Sequence, residues 1–161
     1  MYKEYYSIVK DILDNTEFKK LKKESHHGTN RYVHSMRVSM GMYKITKKMN
    51  LDYKEATRAS LLHDFFERDT LKSKMVGVIY EHPQKAYKNA KKYFEINKKQ
   101  GNIIKCHMFP LSVVIPTSAE ALLITLVDKK VAIYEYSNYK FNPKNIKNRI
   151  MTKPILLKSK I

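Results

Sequence analysis

The stretch ASLLHDFFE, residues 59–67, sets an imidazole beside a carboxylate, His63-Asp64, with an acid at Glu67. Just upstream, Asp52 as N-cap and Glu55 three residues later form a capping box. This predicts a helix through KEATRASLLHDFF, with the His-Asp pair in its last turn or two. Adjacent helical residues diverge by about 100°. A long imidazole and a short carboxylate can still converge on one ion placed between their directions. If the helix continues, Glu67 shares the face of His63 and Asp64.

Working outward, His34 precedes the pair, and His82, His107 and Asp128 follow it. The members stand about one helix and one connection apart, so a bundle of antiparallel helices returns them to one place. Imidazoles and carboxylates together suit a divalent first-row metal. Six such groups exceed the need of one tetrahedral ion and are enough for two.

The flanking patterns are helical. Residues 2–14 place Tyr5, Ile8, Val9, Ile12 and Leu13 on one face. ESHHGTN, residues 24–30, reads as a loop, with His26 and His27 as exposed loop histidines that could close over a substrate. Residues 31–49 form a long helix ended by Asn50, with His34 and Arg37 on a shared face. A short apolar helix over 74–81 precedes a second one opened by Pro83, putting His82 at a helix start. His107 falls near a helix end. SAEALLITLVDKKVAIYEY, capped by Ser118, is the most apolar helix and carries Asp128 inward. A carboxylate there costs several kcal/mol unless paired or metal-bound.

Five segments together resemble the HD superfamily of metal-dependent phosphohydrolases: RYVHSMRVS (31–39), ASLLHDFFE, YEHPQKA (80–86), IKCHMFPL (104–111) and LVDKKVA (126–132). The two extra histidines are similar to the branch that holds two metals. The resemblance implies an all-α HD-domain helical bundle in a single domain. The boundaries expected are an N-terminal helix and loop over 1–30, the metal-binding core over 31–140 and a basic tail over 141–161.

It also implies a ligand set of His34, His63, Asp64 and Asp128 for one ion. The other ion takes His82 and His107, with Asp64 as the bridge. Iron or manganese is expected, and zinc, cobalt and nickel accept the same ligands. Asp64 and Glu67 are the implied catalytic residues, Glu67 orienting or deprotonating the attacking water. Asp69 is either a further residue around the site or simply exposed. Arg37 and Lys129 are candidates for phosphate contact, Arg37 alternatively supporting a carboxylate. The implied function is hydrolysis of a small phosphorylated compound, a nucleotide among them. The alternatives are a di-iron oxygenase of the same ligand type and a non-catalytic nucleotide or nucleic-acid binding module.

Composition narrows the classes. The 161 residues fit one domain, and 43% apolar content argues against global disorder. Four glycines and five prolines disfavour a turn-rich β fold. One cysteine, Cys106, excludes an internal disulfide and reads as a small buried hydrophobe. No apolar run of signal-peptide or membrane-span length is visible, so no membrane partner and a cytoplasmic location are expected. The formal net charge of +17 draws anions. Lysine carries the excess, with arginine only at 31, 37, 58, 68 and 149, which disfavours nucleic acid as the main partner.

Overall fold

The computed structural model describes residues 2–26, 28–68, 71 and 76–141. The tail from Asn142, His27 and Asp69 lie outside the described residues. The order is α1 (Tyr2–Asp14), α2 (Thr16–Lys19), a 3₁₀ turn (Lys20–Lys23), β1 (Ser25–His26), β2 (Thr29–Asn30), α3 (Arg31–Lys48), α4 (Tyr53–Leu61), α5 (Val76–Tyr93), α6 (Lys98–Cys106) and α7 (Ala119–Phe141). The fold is all-α, with one two-residue hairpin as its only sheet among the described residues.

Local signals place most helix ends. The Asn30 side chain accepts from the Val33 N–H to start α3, and Asn97 with Gln100 closes a full capping box on α6. Only half of the box expected at α4 forms. Asp52 accepts from the Glu55 N–H, but the Asp52 N–H donates to Glu120 on α7. Asn50 leaves α3 at a φ of 54°, a conformation Asn tolerates.

α3 packs against α4 and α7, and α6 fills the space beside α4. Val38, Met42, Leu61, Leu62, Ile103, Ile104 and Ile124 are fully buried between them. Each such side chain contributes about 1.5–3 kcal/mol. α1 buries Val9 and Ile12 on this core and is tied to it by polar contacts. Arg58 grips Asp11 through two bonds of 2.6 and 2.7 Å. Glu4 accepts from Tyr43, Tyr53 and Lys47.

Two helix expectations are corrected. α4 stops at Leu61, so His63 and Asp64 lie in a turn after the helix. The reason is that the carbonyls beyond find side-chain donors: Asn89 on Phe65 and Arg31 on Phe66. Phe65 and Phe66 are both buried there. Pro83 lies inside one continuous α5 rather than opening a helix, which puts His82 mid-helix. α7 is also less enclosed than its composition suggests: Leu122, Leu126 and Ile133 are exposed.

Candidate metal centre

The structure brings His34 (α3), His63 and Asp64 (the turn after α4), His82 (α5), His107 (the end of α6) and Asp128 (α7) into one buried cluster. None is more than 8% exposed. The turn after α4 settles how two consecutive residues reach the same point. It frees His63 and Asp64 from the helical divergence.

The four histidines are oriented alike. Nδ1 of His63 meets the Ser60 carbonyl at 2.8 Å, Nδ1 of His82 the Val78 carbonyl at 2.6 Å, and Nδ1 of His107 the Ile104 carbonyl at 2.8 Å. His34 Nδ1 meets the Glu135 carboxylate at 2.8 Å. A carbonyl only accepts, so each Nδ1 carries the proton and donates. Nε2 of His63, His82 and His107 is thereby left to present a lone pair to the interior, while His34 Nε2 meets Asp128 Oδ1 at 3.0 Å. Nε2 of His82 and His107 stand 2.9 Å apart. Two facing lone pairs repel at that distance unless a cation serves both.

Asp64 supplies the second test of fit. Its Oδ1 is buried without a hydrogen-bond partner, as is Nε2 of His63. Yet Oδ1 faces His82 and His107 at 3.6 and 3.7 Å, and Oδ2 faces His63 at 3.9 Å. These gaps are too long for hydrogen bonds. They match ligand atoms around a shared ion, which at about 2.1 Å each stand up to about 4.2 Å apart. Each oxygen of Asp64 addresses a different group of histidines. Asp128 Oδ1 lies 3.0 Å from His34 and 3.5 Å from His63. The donor set fits divalent metal.

The electrostatics agree. Burial opposes charge on Asp64, but the fields of His63, His82, His26 and His107 hold it ionised well below the usual carboxylate range. Asp128 behaves alike: burial is outweighed by its hydrogen bond to His34 and by the nearby His63. Burial, then His63 and His82, push His107 down to about 3, so its imidazole is neutral at pH 7. Burial works against a proton on His34, but Asp128 and Glu135 raise its pKa to about 10.

The family model of the HD domain matches residues 31–133, spanning every member of this cluster. The chain belongs to the HD-domain family. Neither the curated proteins nor the solved structures gave a match. HD domains bind divalent metals and are typically metal-dependent phosphohydrolases, and the His/Asp cluster here could hold such metals. Among the described residues no helix is long and apolar enough to cross a membrane.

Other expected residues in this HD chain sit differently. Arg37 does share a face with His34, but it donates to Glu135 Oε1 at 2.8 Å. Lys129 Nζ is capped by the carbonyls of His107, Phe109 and Thr125 at 3.1–3.3 Å. The water-handling role of Glu67 presupposed a helix continuing past Asp64. With α4 ended at Leu61, Glu67 is exposed in a cleft of about 210 Å³ lined also by Leu21, Phe65, Lys85, Lys92 and Tyr93. No member of the cluster lines that cleft. Cys106 is buried as expected, its thiol pushed up to about 12 by burial.

Two residues escape the sequence reading, and the exposed-loop reading of His26 is corrected. Glu135 lies seven residues after Asp128, two helical turns along the same face, which is a legible signal. Arg31, three before His34, is 2% exposed. It bonds Glu24 and Phe66, stacks on the Phe66 ring at 3.9 Å and sets Nε 3.8 Å from Asp64. His26 sits 3.7 Å from Asp64 rather than out in solvent. No periodicity marks it.

Proposed function

We propose that this chain is a two-metal HD phosphohydrolase acting on a small phosphorylated compound, nucleotides included. One ion is held by His34, His63, Asp64 and Asp128, the other by Asp64, His82 and His107, with Asp64 as the bridge. The observation that carries this is the set of four imidazoles tied outward through Nδ1, with His82 and His107 meeting Nε2 to Nε2 at 2.9 Å. When bound, the ions acidify a water and stabilise charge on the attacking and leaving oxygens.

The chain's own residues do the positioning. The Nδ1 bonds hold each ring in one tautomer, and Arg31 steadies Asp64 and the turn that carries it. Glu135, held by Arg37, aims His34. Lys129 pins the carbonyls around His107. Two buried carboxylates against two divalent ions leave a formal surplus of positive charge, and Arg31 adds to it, which favours a phosphate. Burial of the whole cluster favours a small substrate over a duplex. The basic surface draws anions inward.

The test is anaerobic reconstitution with iron or manganese, then a screen of phosphorylated compounds in ¹⁸O-water. Turnover without oxygen, with label in the product, is expected. Activity that needs dioxygen and takes its label from it would make the chain an oxygenase instead. Metal-free binding of RNA or DNA that weakens with salt, without turnover, would make it a binding module.

A further inference from the structure

We propose that His26 is an additional protein ligand to the ion at His34, His63, Asp64 and Asp128, brought in by the β1–β2 hairpin. This rests on the two-ion reading above. His26 lies ahead of the span that the HD-domain family model matches. Its Nε2 is 3.7 Å from Asp64 Oδ2, and its ring meets the His34 ring edge-on with centroids 4.4 Å apart. Ligand atoms of His26, His34 and Asp64 lie within 4.8 Å of one another. The gap to Asp64 exceeds a hydrogen bond and falls inside the spread of donors around one ion.

The hairpin is built to hold that imidazole in place. Its strands pair Ser25 with Asn30 and His26 with Thr29. At the base, the Arg31 N–H donates to the Glu24 carbonyl at 2.8 Å. The Glu24 carboxylate takes Arg31 Nη1 and the Arg68 N–H, each at 3.0 Å. At the tip, Gly28 has a φ of 83°, and a Cβ there would collide with the Tyr139 side chain of α7. Only glycine lets the tip lie against α7. The hairpin is therefore fixed at both ends, with His26 between them facing Asp64.

A consequence follows for access. With His26, the first ion has three imidazoles and two carboxylates around it. The second has two imidazoles and the shared Asp64. The open coordination positions, and so the substrate's point of entry, belong mainly to the ion at His82 and His107.

The experiment uses the full chain loaded with cobalt(II). Each imidazole bound through Nε2 gives one hyperfine-shifted exchangeable N–H resonance from its Nδ1. Wild type should show one more such resonance than His26→Ala, with two metals per chain in both. Chelator competition should release the ion at His34, His63, Asp64 and Asp128 from His26→Ala at least about tenfold more readily than from wild type. Gly28→Ala keeps the imidazole but displaces the hairpin, and should lose the same resonance. Circular dichroism should show all three proteins folded. Identical resonances and equal metal affinity in wild type and His26→Ala overturn the inference. If KM alone rises in that variant, His26 touches substrate instead, and the inference also falls. A wild type that takes up only one metal, or none, overturns the two-ion reading first.

Discussion

Glu135→Gln is the sharpest perturbation of the centre that leaves every proposed ligand in place. Glu135 is 4% exposed and uses both oxygens, Oε2 on His34 Nδ1 and Oε1 on Arg37, each at 2.8 Å. A glutamine can present its single oxygen to only one of them. If the oxygen faces Arg37, the amide N–H₂ faces His34 Nδ1 and drives the ring to the tautomer with its proton on Nε2, where the ion binds. If it faces His34, the amide confronts the guanidinium. Either way one charge-assisted bond is lost, worth about 1.5–3 kcal/mol. That corresponds to about 10–100-fold in affinity for the first ion, the scale seen for partners of metal-bound histidines. The assay is chelator competition on reconstituted protein at fixed pH.

The same substitution has a pH signature. In the metal-free protein the His34 pKa is raised from 6.5 to about 10, burial being outweighed by Asp128 and Glu135. The protonated pair thus stabilises the metal-free fold fully below about 6.5, and that stability is lost as pH rises through about 10. A metal must displace this proton, so binding at pH 8 releases it and affinity climbs up to about pH 10. Glu135→Gln should bind metal with less proton release. Unchanged affinity and unchanged proton release in Glu135→Gln would refute the reasoning.

Glu67→Gln should change kcat by no more than a few-fold, because Glu67 lines the neighbouring cleft; a drop of about 10²–10⁴-fold would restore it as a general base. Lys129→Met leaves the carbonyls of His107, Phe109 and Thr125 without their cation and should lower stability by about 1–3 kcal/mol in urea titration. A raised KM with unchanged stability would return Lys129 to the substrate. Cys106, with its thiol pushed up to about 12 by burial, should resist alkylation at pH 8 in the folded protein and react on unfolding; rapid reaction of the native thiol would contradict that burial.

What was legible in the sequence was whatever rests on residue order and helical period. The spacing of His34, His63-Asp64, His82, His107 and Asp128 anticipated their convergence, and the apolar face of α1 anticipated its share of the core. Less legible were features set by tertiary partners. The end of α4 depends on Asn89 and Arg31 reaching the Phe65 and Phe66 carbonyls, and neither donor is near in sequence. Pro83 read as a helix start because proline lacks a donor, yet α5 runs through it. His26 looked like a loop residue because nothing local shows that Gly28 seats the hairpin against Tyr139. Arg37 was placed on the correct face, but its partner, Glu135, lies 98 residues away.

The proposed centre holds two ions sharing Asp64. It is tested most directly by elemental analysis of metal per chain at saturation, on wild type and on His82→Ala/His107→Ala. Two ions are expected in wild type and one in the double variant, which keeps the ion at His34, His63, Asp64 and Asp128. A wild type that never exceeds one metal, or a double variant that retains two, would contradict it.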